Sequence, residues 1–300
     1  MITNSPNSRI GLHLLVWPLI VLLGACSRDR SPTAPSGPPA AGSAVEYTAI
    51  GASDATGHGG SIECDIPFQT LQTCPNGTGY VYVTARQLQS QGLVVTLRNM
   101  GIPTAVISRT FQTLGQQYNH LTLGNLIEQE MPFVLPNSTI VTIFAGGNEI
   151  NIITGALGGG AGAGDQTGFI DAQVRQFGAD YATLVAGIRA RAGASRIIAL
   201  NVPNLAGLPF LATASLGQKQ AAQRAAAGMN TTVVNPLTAQ GIVVVDLACD
   251  PRTYMPSNYS PDGFHPNDAG YAFMASEVIR AVTLSTYPAP RGSCSQMALF

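Results

Sequence analysis

Five short apolar runs are spaced along the chain, and they are rich in β-branched residues. They cover residues 47–51, 93–97, 139–145, 196–201 and 242–247. None of them alternates strictly between apolar and polar positions, and continuous apolar strands are typical of a sheet that is covered on both faces. The pattern therefore predicts about five buried strands.

Three stretches between these runs have helical character. Residues 168–192 place apolar side chains at helical spacing, and residues 216–230 are rich in Ala and Gln. Residues 267–282 follow Pro266, and proline is tolerated where a helix begins. Alternating strands and helices imply a parallel sheet with right-handed crossovers. We predict an α/β fold with three layers, α/β/α, around a flavodoxin-like sheet of about five parallel strands.

Residues 155–168 form a glycine-rich stretch, GALGGGAGAGDQTG. It lacks the Gly-Lys-Ser/Thr ending of a phosphate-binding P-loop, and it does not lie in the first strand–helix turn. We predict a mobile surface loop there.

The first 26 residues have the pattern of an export signal. Arg9 supplies a positive charge, and an apolar run over residues 12–23 follows. The run ends in Leu23-Gly24-Ala25-Cys26, which resembles a bacterial lipobox, so we expect Cys26 to be lipidated. The alternative is an ordinary secretory signal with an incidental cysteine.

The stretch after the signal, residues 27–44, is rich in Pro, Ser, Ala and Gly. Such a composition buries no core and is typical of an extended tether. Residues 45–300 remain as one globular domain. We therefore expect an exported protein, lipid-anchored to the cell envelope (the outer membrane in a Gram-negative cell) or secreted.

The composition excludes several classes of protein. Only 10% of the 300 residues are charged and the formal net charge is −1, so a basic surface for nucleic acid is not expected. Apolar residues make up 45% of the chain, which argues against wholesale disorder. The only long apolar run is the N-terminal one, so we expect membrane contact only through the lipid anchor. The working expectation is a monomer.

Four of the five cysteines remain once Cys26 is set aside. An even number in an exported protein suggests two disulfides, for which three pairings exist. We favour Cys64 with Cys74 and Cys249 with Cys294, because each pair closes a local segment. The alternative is four buried thiols. No Cys-x-x-Cys motif is present, so we expect no metal at these cysteines.

Polar residues with catalytic potential follow the predicted strands. In an open parallel sheet, ligands bind beyond the carboxyl ends of the strands. Ser53 follows the first run and Asn148 the third, while Asp262 and His265 lie in the loop between the fifth run and the last helix. These residues are the components of serine acyl transfer.

The chemistry assigns a role to each residue. Ser53 is the candidate nucleophile, His265 the base that takes its proton, and Asp262 the carboxylate that orients the imidazole. The oxyanion of the tetrahedral intermediate needs preorganised donors. The candidates are the Ser53 N–H, a backbone N–H near Gly101, and the side-chain amide of Asn148.

These residues resemble the motifs of the SGNH/GDSL hydrolase family. Gly146-Gly147-Asn148-Glu149 is similar to the family's GxND block, with Glu for Asp, and Asp262-Gly263-Phe264-His265-Pro266 is similar to its DxxHP element. Gly51-Ala52-Ser53-Asp54 stands where Gly-Asp-Ser is usual. The blocks appear in the family's order over residues 46–283. The resemblance implies the SGNH hydrolase fold and carboxylic-ester hydrolysis through an acyl-enzyme, on short-chain acyl esters or on lipid or polysaccharide esters, with no cofactor or metal.

Two departures from the family pattern affect the site. Ala52 removes a carboxylate that usually helps to organise the nucleophile turn, and Asp54 is a partial substitute. Alignment of Asn99-Met100-Gly101 on the family's Asn-x-Gly places Thr104 at the glycine position of the oxyanion hole. We favour Gly101 as the second donor and keep Thr104 as the alternative.

Other functions fit the same residues less well. An acyltransferase or a carbohydrate deacetylase would use the same triad, and a degenerate, non-catalytic surface lipoprotein is a third alternative. The absence of Gly-x-Ser-x-Gly disfavours the α/β-hydrolase family. A glycosidase pair of Asp54 and Glu149 would leave Ser53 and His265 unexplained.

Two further histidines lie in the mature chain. We expect His58 to be a solvated loop residue and His120 to lie on a helix between the second and third strands.

Overall fold

The computed structural model describes residues 37–300 of the chain. The predicted signal peptide, Cys26 and most of the predicted tether lie outside these residues. Within them, no helix has both the length and the apolar character that a membrane crossing requires.

The predicted parallel sheet is confirmed. Its strands are listed in chain order: β1 (Ala44–Gly51), β2 (Val94–Asn99), β3 (Ile140–Phe144), β4 (Arg196–Leu200) and β5 (Val243–Val245). They are all parallel, in the spatial order β2-β1-β3-β4-β5. Every residue of β3 and β4 is buried, which explains the continuous apolar runs in the sequence.

The register of the sheet brings four strand ends to one level. Gly51 pairs with Phe144, Phe144 with Leu200, and Leu200 with Val245. The loops that leave these strands therefore start side by side along one edge, and this edge carries the polar residues identified above.

Helices cover both faces of the sheet, as the three-layer prediction requires. The described residues contain α1 (Ser53–Thr56), α2 (Tyr80–Ser90), α3 (Arg109–Gln117), α4 (Leu126–Gln129), α5 (Gly147–Gly158), α6 (Gln166–Arg191), α7 (Leu216–Met229) and α8 (Asp268–Thr283). Helices α2 and α8 pack on one face of the sheet, and α3, α5, α6 and α7 pack on the other.

The predictions for α6, α7 and α8 agree with the structure to within two residues. The predicted glycine-rich loop does not begin at residue 155, because α5 continues to Gly158, and the buried Ile152, Ile153 and Ala156 hold this helix against the core. Turns follow over residues 159–164, and α6 begins at Gln166.

The prediction for His120 was wrong. Helix α3 ends at Gln117, and Asn119 has a left-handed backbone with φ 57°, so the chain has left the helix before His120.

Both favoured cysteine pairs are disulfides in the structure. Cys64–Cys74 closes a loop after the turn that carries Ser53, and Cys249–Cys294 ties the C-terminal segment to the loop after β5.

Candidate active site

Ser53 lies two residues beyond the end of β1 and is the first residue of the four-residue helix α1. The residue is 5% exposed, and its Oγ lies 2.8 Å from Nε2 of His265. The Ser53 carbonyl accepts hydrogen bonds from the N–H groups of Gly57 and His58, both at 3.0 Å. These hydrogen bonds close the end of α1 and fix the backbone of Ser53.

A tight turn before α8 holds Asp262 and His265 together. Oδ2 of Asp262 lies 2.6 Å from Nδ1 of His265, and Oδ1 accepts from the N–H groups of Phe264 and His265 and from the Ser260 hydroxyl. Burial alone would raise the pKa of Asp262, but these hydrogen bonds outweigh it and hold the pKa at about 2. Asp262 is therefore an anion at neutral pH.

Close packing against a neighbouring turn fixes the position of His265. Gly59 has φ +85°, and a Cβ there would lie 2.9 Å from both His265 Cβ and the Pro266 carbonyl oxygen. Only glycine allows the chain to pass His265 at this distance. The imidazole ring contacts the rings of His58 and Phe264 edge to face, with centroids 4.5 Å and 4.8 Å away.

His58 is more than a solvated loop residue, although its side chain is 47% exposed. Its Nδ1 lies 2.8 Å and 2.9 Å from the two carboxylate oxygens of Glu63, and its ring faces His265. Glu63 is next to Cys64 of the first disulfide. The sequence signal for this contact is the short separation of a histidine from the nucleophile, which by itself does not show where the ring lies.

One group of three side chains in residues 37–300 has metal-ligating atoms close together. Atoms of His58, Asp262 and His265 lie within 4.8 Å of one another. Two of these residues already share a hydrogen bond, so a cation there would compete with the Asp262–His265 contact.

Asn148 lies at the start of α5, beside the end of β3. Its Nδ2 donates a hydrogen bond to the Ala105 carbonyl at 2.8 Å, which fixes the amide against the loop after β2. A primary amide has two N–H groups, so a second donor is left on Asn148.

The loop after β2 contains both candidates for the remaining donor. The Gly101 N–H already donates to Oδ1 of Asn99 at 3.1 Å, which counts against Gly101. Thr104 has a left-handed backbone with φ 60°, and its Oγ1 accepts from the Leu123 N–H. Among the described residues, no acceptor is bonded to the Thr104 N–H.

Two buried carboxylates lie beneath these loops. Glu149, the residue that replaces Asp in the GxND block, is 1% exposed and accepts from the N–H groups of Ile107 and Gly146. Burial raises its pKa to about 7. Because both oxygens of Glu149 are bonded to the backbone, this residue is unsuited to a glycosidase pair. Glu130, which the sequence analysis missed, is fully buried and accepts from the Gly51 N–H at 2.9 Å.

A small apolar cavity flanks the site. Its volume is about 40 Å³, and its walls include sequence neighbours of Ser53, Asn148 and His265, namely Asp54, Gly147, Phe264 and Pro266. The other lining residues are mostly apolar (Phe144, Pro203, Leu205, Leu208, Leu247, Tyr259, Gly270, Phe273 and Met274), with Arg252, Thr253 and Asn258 as the polar ones. Asp54 is half-buried, and burial raises its pKa.

Comparisons with known proteins agree with this geometry. Residues 49–273 match the model of the GDSL-like Lipase/Acylhydrolase family. A lipase from a goat rumen metagenome has a similar structure, with a TM-score of 0.54 at 18% identity over 83% of this chain and 100% of that one. An extracellular lipase from Streptomyces rimosus has a TM-score of 0.51 at 17% identity over 79% and 98%. No curated protein sequence matches the chain.

The family match covers well over half of the chain, and it includes the turn that carries Ser53, the GGNE block and the loop before α8. The structural neighbours have the same fold. The chain therefore belongs to the GDSL-like lipase/acylhydrolase family and is a carboxylic-ester hydrolase.

Proposed function

We propose that Ser53, His265 and Asp262 form the catalytic triad of this hydrolase. The observation that carries the proposal is the continuous chain of hydrogen bonds, 2.8 Å from Ser53 to His265 and 2.6 Å from His265 to Asp262. This is the geometry of a hydroxyl that an imidazole can deprotonate while a carboxylate holds the ring in one tautomer.

The reaction then proceeds in two balanced halves. The Ser53 Oγ bonds to the ester carbonyl carbon as its proton passes to Nε2 of His265, and His265 returns that proton to the departing alcohol. Water next gives a proton to His265 and its oxygen bonds to the acyl carbon. Collapse of the second tetrahedral intermediate releases the acid and restores the serine. Asp262 remains an anion throughout, since its pKa of about 2 lies far below neutral pH.

The oxyanion is stabilised by three N–H groups in this proposal. They are the backbone N–H of Ser53, the second side-chain N–H of Asn148 and the backbone N–H of Thr104. Thr104 replaces Gly101, our first choice from the sequence, because the Gly101 N–H is bonded to Asn99.

The preferred substrates are esters of short acyl groups. The apolar cavity whose walls include Gly147 and Phe264 is small, about 40 Å³, and this supports acyl groups of acetyl to butyryl size. We expect a longer chain to require displacement of Leu205 or Leu208.

The test is turnover of p-nitrophenyl acetate, butyrate and octanoate by the purified mature domain. We expect hydrolysis of the first two at rates at least tenfold above octanoate. Ser53→Ala should abolish turnover while the far-UV spectrum stays the same. Ser61→Ala, a change at an exposed serine, is the matched control.

A fluorophosphonate probe separates catalysis from specificity. Covalent labelling of wild type at Ser53, and not of Ser53→Ala, supports the nucleophile. Absence of both labelling and turnover in folded wild type would contradict the catalytic proposal and favour the non-catalytic alternative.

We also propose that the domain acts outside the cytoplasm, tethered through a lipid on Cys26. The two disulfides support an oxidising compartment, and the Leu23-Gly24-Ala25-Cys26 motif supports the anchor. Metabolic labelling of the full chain with a palmitate analogue should mark wild type and leave Cys26→Ser unmarked. Equal labelling of both would contradict the anchor.

A further inference from the structure

His58 has a position that the proposed triad does not explain. Its ring lies edge to face against the ring of His265, with centroids 4.5 Å apart. Its Nδ1 lies 2.8 Å and 2.9 Å from the two carboxylate oxygens of Glu63. Its Nε2 forms no hydrogen bond with any of residues 37–300, so one ring nitrogen beside the proposed base is unused.

Potential metal ligands from three side chains converge at this point. One ligand atom from each of His58, Asp262 and His265 lies within 4.8 Å of the other two. Imidazole nitrogens and carboxylate oxygens bind Zn²⁺ at about 2.0–2.2 Å, so two ligands of a tetrahedral ion are roughly 3.3 Å apart. The side chains of His58 and Asp262 are exposed, and small rotations of them close the remaining difference.

Glu63 gives His58 the support that a metal-binding histidine usually has. Such a histidine almost always donates its other ring N–H to a carboxylate, a carbonyl or water, which fixes its tautomer and raises its basicity. A carboxylate only accepts, so Nδ1 of His58 is the donor to Glu63 and the neutral ring keeps the lone pair on Nε2. The contact with Glu63 therefore prepares Nε2 of His58 as a metal ligand.

The charges around these side chains also favour a cation. Glu63 and Asp262 are two carboxylates, and within residues 37–300 their ion-pair partners are histidines, with no lysine or arginine beside either of them. A divalent ion therefore has no fixed positive charge to displace. Because the site is open to solvent, water can serve as the fourth ligand.

We propose that His58, His265 and Asp262 form an inhibitory site for Zn²⁺, in which Glu63 orients His58. Zn²⁺ is favoured over Mg²⁺ because two of the three ligands are imidazoles, whereas Mg²⁺ prefers oxygen ligands in an octahedron. Binding of the metal follows from the contacts described above. Inhibition by the metal rests in addition on the proposed function of Ser53 and His265.

Coordination removes the base of the triad. The Asp262 carboxylate lies 2.6 Å from Nδ1 of His265, so an ion shared by these two residues binds the ring at Nδ1. A neutral imidazole has one N–H, and a ring that binds metal through Nδ1 carries this proton on Nε2. Nε2 lies 2.8 Å from the Ser53 Oγ and in this tautomer does not accept the serine proton. No covalent bond of the protein changes, so removal of the ion restores the triad.

Titration calorimetry with zinc chloride tests the site on the purified mature protein, prepared without a histidine tag. We expect one Zn²⁺ to bind per chain with a micromolar dissociation constant. Zn²⁺ should inhibit hydrolysis of p-nitrophenyl butyrate with the same constant, and EDTA should restore the full rate. Mg²⁺ at the same concentration should not inhibit. Ser53→Ala, which keeps all the ligands, should bind Zn²⁺ as wild type does.

Variants locate the ion. Glu63→Gln removes only the orienting carboxylate and should weaken binding about 10- to 100-fold, the usual cost of losing such a partner. His58→Ala removes a ligand and should weaken binding and inhibition by about 100-fold or more, with each rate compared with that of the same variant without zinc. His265→Ala should lose binding in calorimetry. His120→Ala changes a half-buried histidine in another loop and should stay within twofold of wild type.

The outcomes separate this inference from the proposed function. Active wild type that binds no Zn²⁺, or binds it as tightly after His58→Ala, would overturn the zinc site alone. If His58→Ala does not fold, unchanged binding in Glu63→Gln would overturn it. Binding that depends on His58 but leaves ester hydrolysis unchanged would overturn the inhibition. Folded wild type that neither hydrolyses ester nor reacts with fluorophosphonate would overturn the proposed function, and calorimetry would still decide whether the zinc site exists.

Discussion

The imidazole rings of His58 and His265 meet edge to face, with centroids 4.5 Å apart and an interplanar angle of 77°. Glu63 holds His58 in this orientation through two contacts to Nδ1. The proposed base is therefore in contact with Asp262 on one side and, on another, with a second histidine that has no role in the proposed proton transfer.

His58→Ala should weaken this support without removing a catalytic group. Ring pairs of this kind contribute about 0.5–1.5 kcal/mol, which corresponds to roughly a 2- to 10-fold effect if it acts on the barrier. We expect kcat to fall within that range in p-nitrophenyl butyrate assays. His120→Ala changes a half-buried histidine in another loop and should have no effect. Equal kcat for wild type and His58→Ala would show that Asp262 alone orients His265.

Asn148→Ala tests the oxyanion hole directly. Loss of one preorganised donor costs about 10²–10³ in kcat. The substitution also frees the Ala105 carbonyl, so the control is Asn151→Ala, the same change one turn along α5. We expect kcat to fall at least 100-fold in Asn148→Ala and to stay within twofold in Asn151→Ala. A decrease in kcat of less than tenfold in Asn148→Ala would show that the Asn148 side chain is not an oxyanion donor.

Glu149 makes the stability of the fold depend on pH. Burial raises its pKa to about 7, whereas an unfolded chain ionises near the ordinary value of 4.5. Between these two values the folded state binds the extra proton, so the free energy of unfolding decreases as the pH rises. The stabilisation from Glu149 is fully present below about pH 4.5 and is lost as the pH rises through about 7. Its total contribution to the free energy of unfolding is on the order of 3 kcal/mol.

Urea unfolding of wild type and Glu149→Gln at pH 5 and pH 8 measures this contribution. Glutamine does not titrate, so the decrease between the two pH values should be smaller in the variant by roughly that amount. An equal decrease in the two proteins would show that Glu149 has no raised pKa in the folded state.

Removal of the longer disulfide loop should cost more stability, whereas removal of the shorter one should cost more activity. Their sequence separations are 10 and 45 residues, and a longer closed loop gives more stabilisation, about 2.7 against about 4 kcal/mol in the chain-entropy model. Glu63, the partner of His58, directly precedes Cys64 of the shorter loop. Double serine variants at Cys64 and Cys74 should lose less stability but lose kcat as His58→Ala does. Variants at Cys249 and Cys294 should lose more stability and keep kcat. If kcat decreased in both double variants in proportion to their loss of stability, the proposed link from the first disulfide to His265 would be contradicted.

Much of this architecture follows from local sequence patterns. The central strands β3 and β4 were predictable because they are buried along their whole length and form continuous apolar runs, whereas the edge strand β2 alternates between exposed and buried residues. Ser53, Asn148, Asp262 and His265 were identifiable because they directly follow strands or precede a helix in the order of the family motifs. Their roles remain a proposal, but the structure brings Ser53, His265 and Asp262 within hydrogen-bonding distance.

Other features have no local signal. Glu130 follows a one-turn helix, and nothing in its neighbours shows that its carboxylate reaches the end of β1. The bond from the Gly101 N–H to Asn99 depends on the conformation of the loop, and the motif alignment cannot reveal it. Helix α5 continues past Gly155 because the core covers its apolar face, which outweighs the low helix propensity of glycine.

The attachments of Glu130 and Glu149 have a consequence for variation within the site. Glu130 accepts a hydrogen bond from the main-chain amide of Gly51, and Glu149 accepts from the amides of Ile107 and Gly146. These hydrogen bonds involve only main-chain atoms of the loops, so the side chains of the loops take no part in them. New substrate preferences are therefore accessible by exchanging residues on the rim, while the proposed oxyanion donors retain their alignment.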